Sequence, residues 1–98
     1  MLVSRREYDV SMVVNRRRMT KVVIDPHFER KHAGSMSDEI ILRLVKSLDG
    51  EVVESDHSEP PFHYFCVDMM ELEGKFYKLI WLLHDELNFI GVVNAYRR

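Results

Sequence analysis

The stretch that decides the fold is Lys75-Phe76-Tyr77-Lys78-Leu79-Ile80-Trp81-Leu82-Leu83-His84, then Asp85-Glu86-Leu87-Asn88, then Phe89-Ile90-Gly91-Val92-Val93-Asn94-Ala95-Tyr96-Arg97-Arg98. It reads as two strands joined by a polar turn. The first carries large apolar residues on both parities, the pattern of a central strand covered on both sides. In the second, the odd positions Phe89, Gly91, Val93 and Ala95 suit close packing under a helix. Its even positions pass from Ile90 and Val92 to Asn94, Tyr96 and Arg98. Side chains alternate along a strand, so the even face turns polar, aromatic and cationic, and a functional surface is expected there.

Working outward, 98 residues make one domain with a modest core. With 46% hydrophobic and 31% charged residues the chain reads as globular, not disordered. No apolar run approaches the roughly 20 residues that cross a bilayer. The opening Met1-Leu2-Val3-Ser4-Arg5-Arg6 lacks the apolar core of a signal peptide. A lone cysteine, Cys66, excludes an internal disulfide and fits a reducing cytoplasm. Set among aromatics, it reads as a small buried hydrophobe in preference to a reactive thiol.

The net charge of −2 is unevenly spread. Residues 1–32 hold eight Lys/Arg against four Asp/Glu, residues 37–73 two against ten, and residues 74–98 four against two. If the two basic ends meet they form a surface suited to phosphates. The same charges also fit an ordinary solvated surface.

Residues 8–14 and 19–25 alternate well enough for a hairpin with Asn15-Arg16-Arg17-Arg18 at its tip. Three arginines on a turn could contact nucleic-acid backbone, or could equally keep an edge hairpin soluble. Asp25-Pro26 is a helix start, giving a short helix over 26–33 stopped by Gly34. Phe28 and His32 share a face of it, with Lys31 beside them. A second helix follows, with Ser35 and Ser37 as caps and Asp38 and Glu39 at its positive end. Ile40, Ile41, Leu44, Val45 and Leu48 form its apolar stripe, and Asp49-Gly50 ends it. A short strand over 51–55, a polar loop over 56–61 and a long strand over 62–72 lead through Glu73-Gly74 into the central strand. The sum is an α+β fold: two helices in the N-terminal half, packed on one face of a twisted, mainly antiparallel sheet of about four strands. The hairpin over 1–24 is an addition to a core over 25–98, and the second sheet face is partly open.

The usual catalytic constellations are absent from the sequence. His27, His32, His57, His63 and His84 with one cysteine match no zinc spacing. There is no glycine-rich phosphate loop and no serine-hydrolase elbow. No metal and no cofactor is expected. Metal-free RNA cleavage fits better. It needs a base for the ribose 2′-hydroxyl, an acid for the leaving oxygen, and fixed cations for the charge that builds on phosphorus. Histidine serves the first two roles near neutral pH, arginine and lysine the third, and tyrosine stacks on a base or positions a phosphate. The candidates are Lys31, His32, His63, Tyr96, Arg97 and Arg98 for catalysis. Arg16, Arg17, Arg18, Tyr64 and Asn94 are candidates for substrate binding. Each also has a structural reading: His32 as a half-buried helix-end residue, His63 as an exposed strand start, Tyr96 as a cap on the core, Arg97-Arg98 as a solvated terminus.

Lys31-His32 on an early helix, with a closing strand pair reading Tyr77-Lys78-Leu79-Ile80-Trp81 and Ile90-Gly91-Val92-Val93-Asn94-Ala95-Tyr96-Arg97-Arg98, resembles small toxins of the RelE/ParE and BrnT kind. Their wider superfamily also groups barnase-like and colicin-type nucleases. The resemblance runs from 22 to 98. It implies a ribonuclease acting on ribosome-bound messenger RNA or on transfer RNA, held inactive by a cognate antitoxin; some relatives instead poison gyrase. In that reading His32 is the general base or acid, Lys31 and Arg97 or Arg98 stabilise the phosphate, and His63 and Tyr96 assist. The chain departs from the pattern in its slightly acidic net charge, in Glu51, Glu54, Asp56 and Glu59, and in offering only Lys75 and Lys78 where ribosome-dependent members carry an arginine-rich strand. The departures favour a rival reading, a non-catalytic protein-interaction module on the same fold.

Overall fold

The computed structural model describes residues 6–24 and 36–98. Six strands, β1 (Arg6–Val14), β2 (Arg17–Ile24), β3 (His57–Glu59), β4 (Phe62–Leu72), β5 (Lys75–His84) and β6 (Phe89–Arg97), form one sheet in the order β1-β2-β6-β5-β4-β3. A single helix among the described residues, α1 (Asp38–Lys46), packs on one face. This corrects the expected architecture of two helices on about four antiparallel strands. The molecule is mostly strand, and its sheet is mixed because β2 runs parallel to β6. The expected helix over 26–33, with Lys31 and His32, lies outside the described residues.

The N-terminal hairpin is part of the sheet. Its two-residue turn, Asn15-Arg16, has φ of 52° and 64°, the doubly left-handed turn whose twist matches paired strands. Asn15 tolerates that region, and its Oδ1 accepts from Val53 N–H at 2.7 Å, ordering the loop after α1. Arg17 and Arg18 are strand residues, so only Arg16 of the expected arginine tip sits on the turn. Val22 and Ile24 are fully buried opposite Ile90 and Val92. A parallel pairing between residues nearly seventy positions apart leaves no local signature in sequence.

α1 forms where the caps and stripe put it. Ser37 accepts from Ile40 N–H at 3.2 Å, and Asp38 and Glu39 sit in the first turn. Ile41, Leu44, Val45 and Leu48 are buried over Leu79, Trp81, Ile90 and Val92. Asp38 ties the helix start to β1, accepting from Arg6 at 2.6 and 2.8 Å and from the Tyr8 hydroxyl. At the other end Gly50 N–H donates to Val13 O and Asp49 accepts from Val13 N–H.

β5 is central, as expected, but its two faces differ. Tyr77, Leu79, Trp81 and Leu83 are buried under the helix, with Trp81 stacked on Phe65 at 5.4 Å. The other face, carrying Ile80 and Leu82, is only half covered. The face assignment expected for β6 also changes. A register shift opposite Ile80 and Trp81 leaves Val93 as an extra residue. Ile90 and Val92 therefore point under the helix, and Ala95 does so after the shift. Phe89, Gly91, Asn94 and Tyr96 share the open face. One inserted residue exchanges strand faces, and alternation alone cannot foresee it.

The expected strand over 51–55 is a loop. Pairing begins instead at His57–Glu59, in the stretch expected to be loop, because the Pro60-Pro61 turn sets Ser58 opposite His63 and His57 opposite Tyr64.

Candidate nucleic-acid interface

The open face is built by three neighbouring strands whose cross-strand pairs fix which side chains stand together. From one end to the other, β4 offers Phe62, Tyr64, Cys66 and Asp68; β5 offers His84, Leu82, Ile80 and Lys78; β6 offers Phe89, Gly91, Asn94 and Tyr96. Phe62 meets His84 edge to face at 5.2 Å, and Phe89 lies 6.3 Å from the same ring. Gly91 leaves room for Leu82 beside them. A Cβ there would come within 2.7 Å of Leu82 Cδ1, so glycine lets Leu82 lie across β6. This half of the face is apolar and aromatic.

The other half is polar. Lys78 stands opposite Tyr96, with Nζ 5.9 Å from the ring centroid, within the range of a cation–π contact. Hydrogen bonding to Tyr96, then the charge field around it, raises the Lys78 pKa above its ordinary value. Lys78 is therefore an ammonium at every physiological pH and serves as a fixed cation, not as a base. Asn94 pairs with Ile80 alongside, and its Oδ1 is buried with no hydrogen-bond partner among the described residues. Arg98, just past β6, reaches Asp68 at 3.6 Å, and Lys78 reaches the same carboxylate at 3.7 Å. Both distances exceed a direct hydrogen bond.

The sequence candidates divide between two places. Asn94, Tyr96 and Arg98 come together at the polar half of the open face, and Tyr64 lies further along it. Arg97 pairs with Tyr77 and so projects to the helix side. His63, opposite Leu83, is also on the helix side and at the far end of the sheet, so it does not join Tyr96. Arg17 lies near His63, where its guanidinium donates to the His84 carbonyl at 2.7 Å and the Leu87 carbonyl at 3.1 Å. Arg18 donates to Ser11 Oγ, and Arg16 is exposed on its turn. Lys31 and His32 lie outside the described residues. Lys78 and Asp68 complete the polar cluster. Lys78 was visible as a cation inside an apolar strand, a position that needs a reason; Asp68 gave no signal, because the register shift between Val67 and Met70 sets its direction.

Among the described residues no three His, Cys, Asp or Glu side chains are grouped to hold a metal ion, and no helix is long and apolar enough to cross a membrane. Compared with known proteins, the chain matches no family model, no curated protein and no solved structure.

Proposed function

We propose that the protein is an endoribonuclease of the toxin type that lays single-stranded RNA across the open sheet face and cleaves it without a metal. The observation that carries the reading is the cluster of Lys78, Asn94, Tyr96 and Arg98 on a face that no helix among the described residues covers, lined by half-exposed aromatics. Lys78 holds a non-bridging phosphate oxygen and offsets the charge that grows there in the transition state. Tyr96 offers a ring for base stacking, Asn94 sits beside it, and Arg98 adds a second cation. The 2′-oxygen bonds to phosphorus as its proton leaves to a base, and the 5′-oxygen departs with a proton from an acid, giving a cyclic phosphate. His32, with Lys31 beside it, is the candidate acid–base group. The ribosome-bound messenger is one candidate substrate, and a cognate antitoxin is the candidate partner for the apolar half of the face.

Growth of a bacterial host after induced expression tests this reading. Wild type is expected to arrest growth, while Lys78→Ala and His32→Ala, expressed as folded protein, are not. Equal arrest by all three would remove both residues from the mechanism.

A second reading has its own support. Phe62, Tyr64, Ile80, Leu82 and Phe89 make an apolar surface, and Asp68 partly neutralises both cations beside it. Those features fit a non-catalytic module that binds a protein through the same face. RNA retention that falls with Lys78→Ala would argue against it.

A further inference from the structure

On the helix side of the sheet, away from the open face, Ser58, His63 and Asp85 form a continuous chain of hydrogen bonds. Ser58 Oγ lies 2.8 Å from His63 Nδ1, and His63 Nε2 lies 2.5 Å from Asp85 Oδ1. Three separate pieces of chain are needed: β3, β4 and the loop between β5 and β6. The Pro60-Pro61 turn sets Ser58 across from His63, and Asp85 N–H donates to Pro61 O at 2.9 Å, fixing the loop that carries the carboxylate. A carboxylate on Nε2 keeps the proton on that nitrogen, which leaves Nδ1 as the acceptor facing the serine. His63 also lines a recess of about 210 Å³, with Val53, Phe65 and Leu83 as its apolar wall and Asn15, Arg17 and Ser55 as its polar one.

We propose that Ser58 is an activated nucleophile, with His63 as its general base and Asp85 as the residue that orients His63, and that the site takes a small ester whose acyl part fits the adjoining recess. The roles are those of a Ser–His–Asp triad with the two ring nitrogens exchanged, which the chemistry permits because either nitrogen can be the base. Ser58 Oγ forms a bond to the ester carbonyl carbon as its proton passes to His63 Nδ1. His63 returns that proton to the alcohol oxygen as the old carbon–oxygen bond breaks. A water then attacks the acyl-serine, giving its proton to His63 and taking the acyl group away as the acid, and His63 reprotonates Ser58. No oxidant, metal or further reactant is required. All three residues are open to solvent, so a substrate can reach the serine.

The test uses the full chain. A fluorophosphonate probe is incubated with the protein and the adduct located by peptide mass spectrometry, in parallel with turnover of p-nitrophenyl acetate. The adduct is expected on Ser58, with labelling and turnover both lost in Ser58→Ala and turnover lowered about 100-fold in His63→Gln. Asp85→Asn serves as the second variant, since it removes the carboxylate that holds the proton on Nε2 without changing Ser58 or His63; its labelling rate is expected to fall as well. Circular dichroism checks that each variant is folded. An adduct elsewhere, no adduct at all, or turnover unchanged in folded Ser58→Ala would overturn the assignment.

Discussion

At the residue scale, the polar half of the open face depends on one lysine placed where an apolar side chain would be ordinary. Residues at alternate positions on β5, Ile80 and Leu82, are half covered by their neighbours, and Lys78 breaks that series opposite Tyr96. Tyr96→Phe removes the hydrogen bond that raises the Lys78 pKa while keeping the ring. RNA affinity is expected to drop less in Tyr96→Phe than in Tyr96→Ala, because base stacking is worth about 1–3 kcal/mol and survives the first change; filter binding at fixed salt separates the two. A second residue-scale prediction concerns Asp38. Its pKa is lowered, chiefly by the Arg6 guanidinium. A depressed folded pKa gives stability that is present above the unfolded value and lost as pH falls through the folded one. Wild type is therefore expected to lose urea resistance below pH ~4 more steeply than Asp38→Asn, whose midpoint starts lower. Parallel curves for the two proteins would show that the contact is not linked to stability. The sequence made Asn94, Tyr96 and Arg98 legible as one group because they lie on one strand end. It could not place His63, whose partners Ser58 and Asp85 meet it only through a hairpin and a loop.

At the element scale, the elements with strong local signals are the ones legible in the sequence. β5, β6, α1 and the Glu73-Gly74 turn follow from long apolar runs, caps and residues that accept positive φ. β3 is three exposed polar residues, and nothing in its composition distinguishes it from loop. The faces of β1, β4 and β6 each change where the register shifts, so parity counted from one end fails at the other. For α1, truncating Leu44, which is 1% exposed, is expected to cost about 2–5 kcal/mol in Leu44→Ala. Ser37→Ala, which removes the cap to Ile40 N–H, is expected to cost about 1 kcal/mol. Denaturant midpoints at constant slope measure both; equal losses would mean that the helix is held by its ends and not by its stripe.

At the scale of the whole molecule, the mixed sheet makes the N-terminal hairpin part of the core. β2 lies between β1 and β6, and Met19, Val22 and Ile24 are completely buried. Deleting residues 6–24 would leave β6 as a bare hydrophobic edge, so the shortened chain is expected to lose cooperative unfolding or to aggregate. A cooperative melt of the truncated chain would show that residues 36–98 hold a sufficient core. One face of this sheet is closed by α1. The other exposes an apolar half and a cationic half side by side, and the proposed activity draws on both. The measurement that tests this most directly is cleavage of a single-stranded RNA by purified protein in the presence of a chelator, wild type against Lys78→Ala. The account predicts cutting by wild type that survives the chelator and falls about 100-fold or more in the folded variant. Cutting that is unchanged by Lys78→Ala, or none by wild type on any cellular RNA, would contradict it.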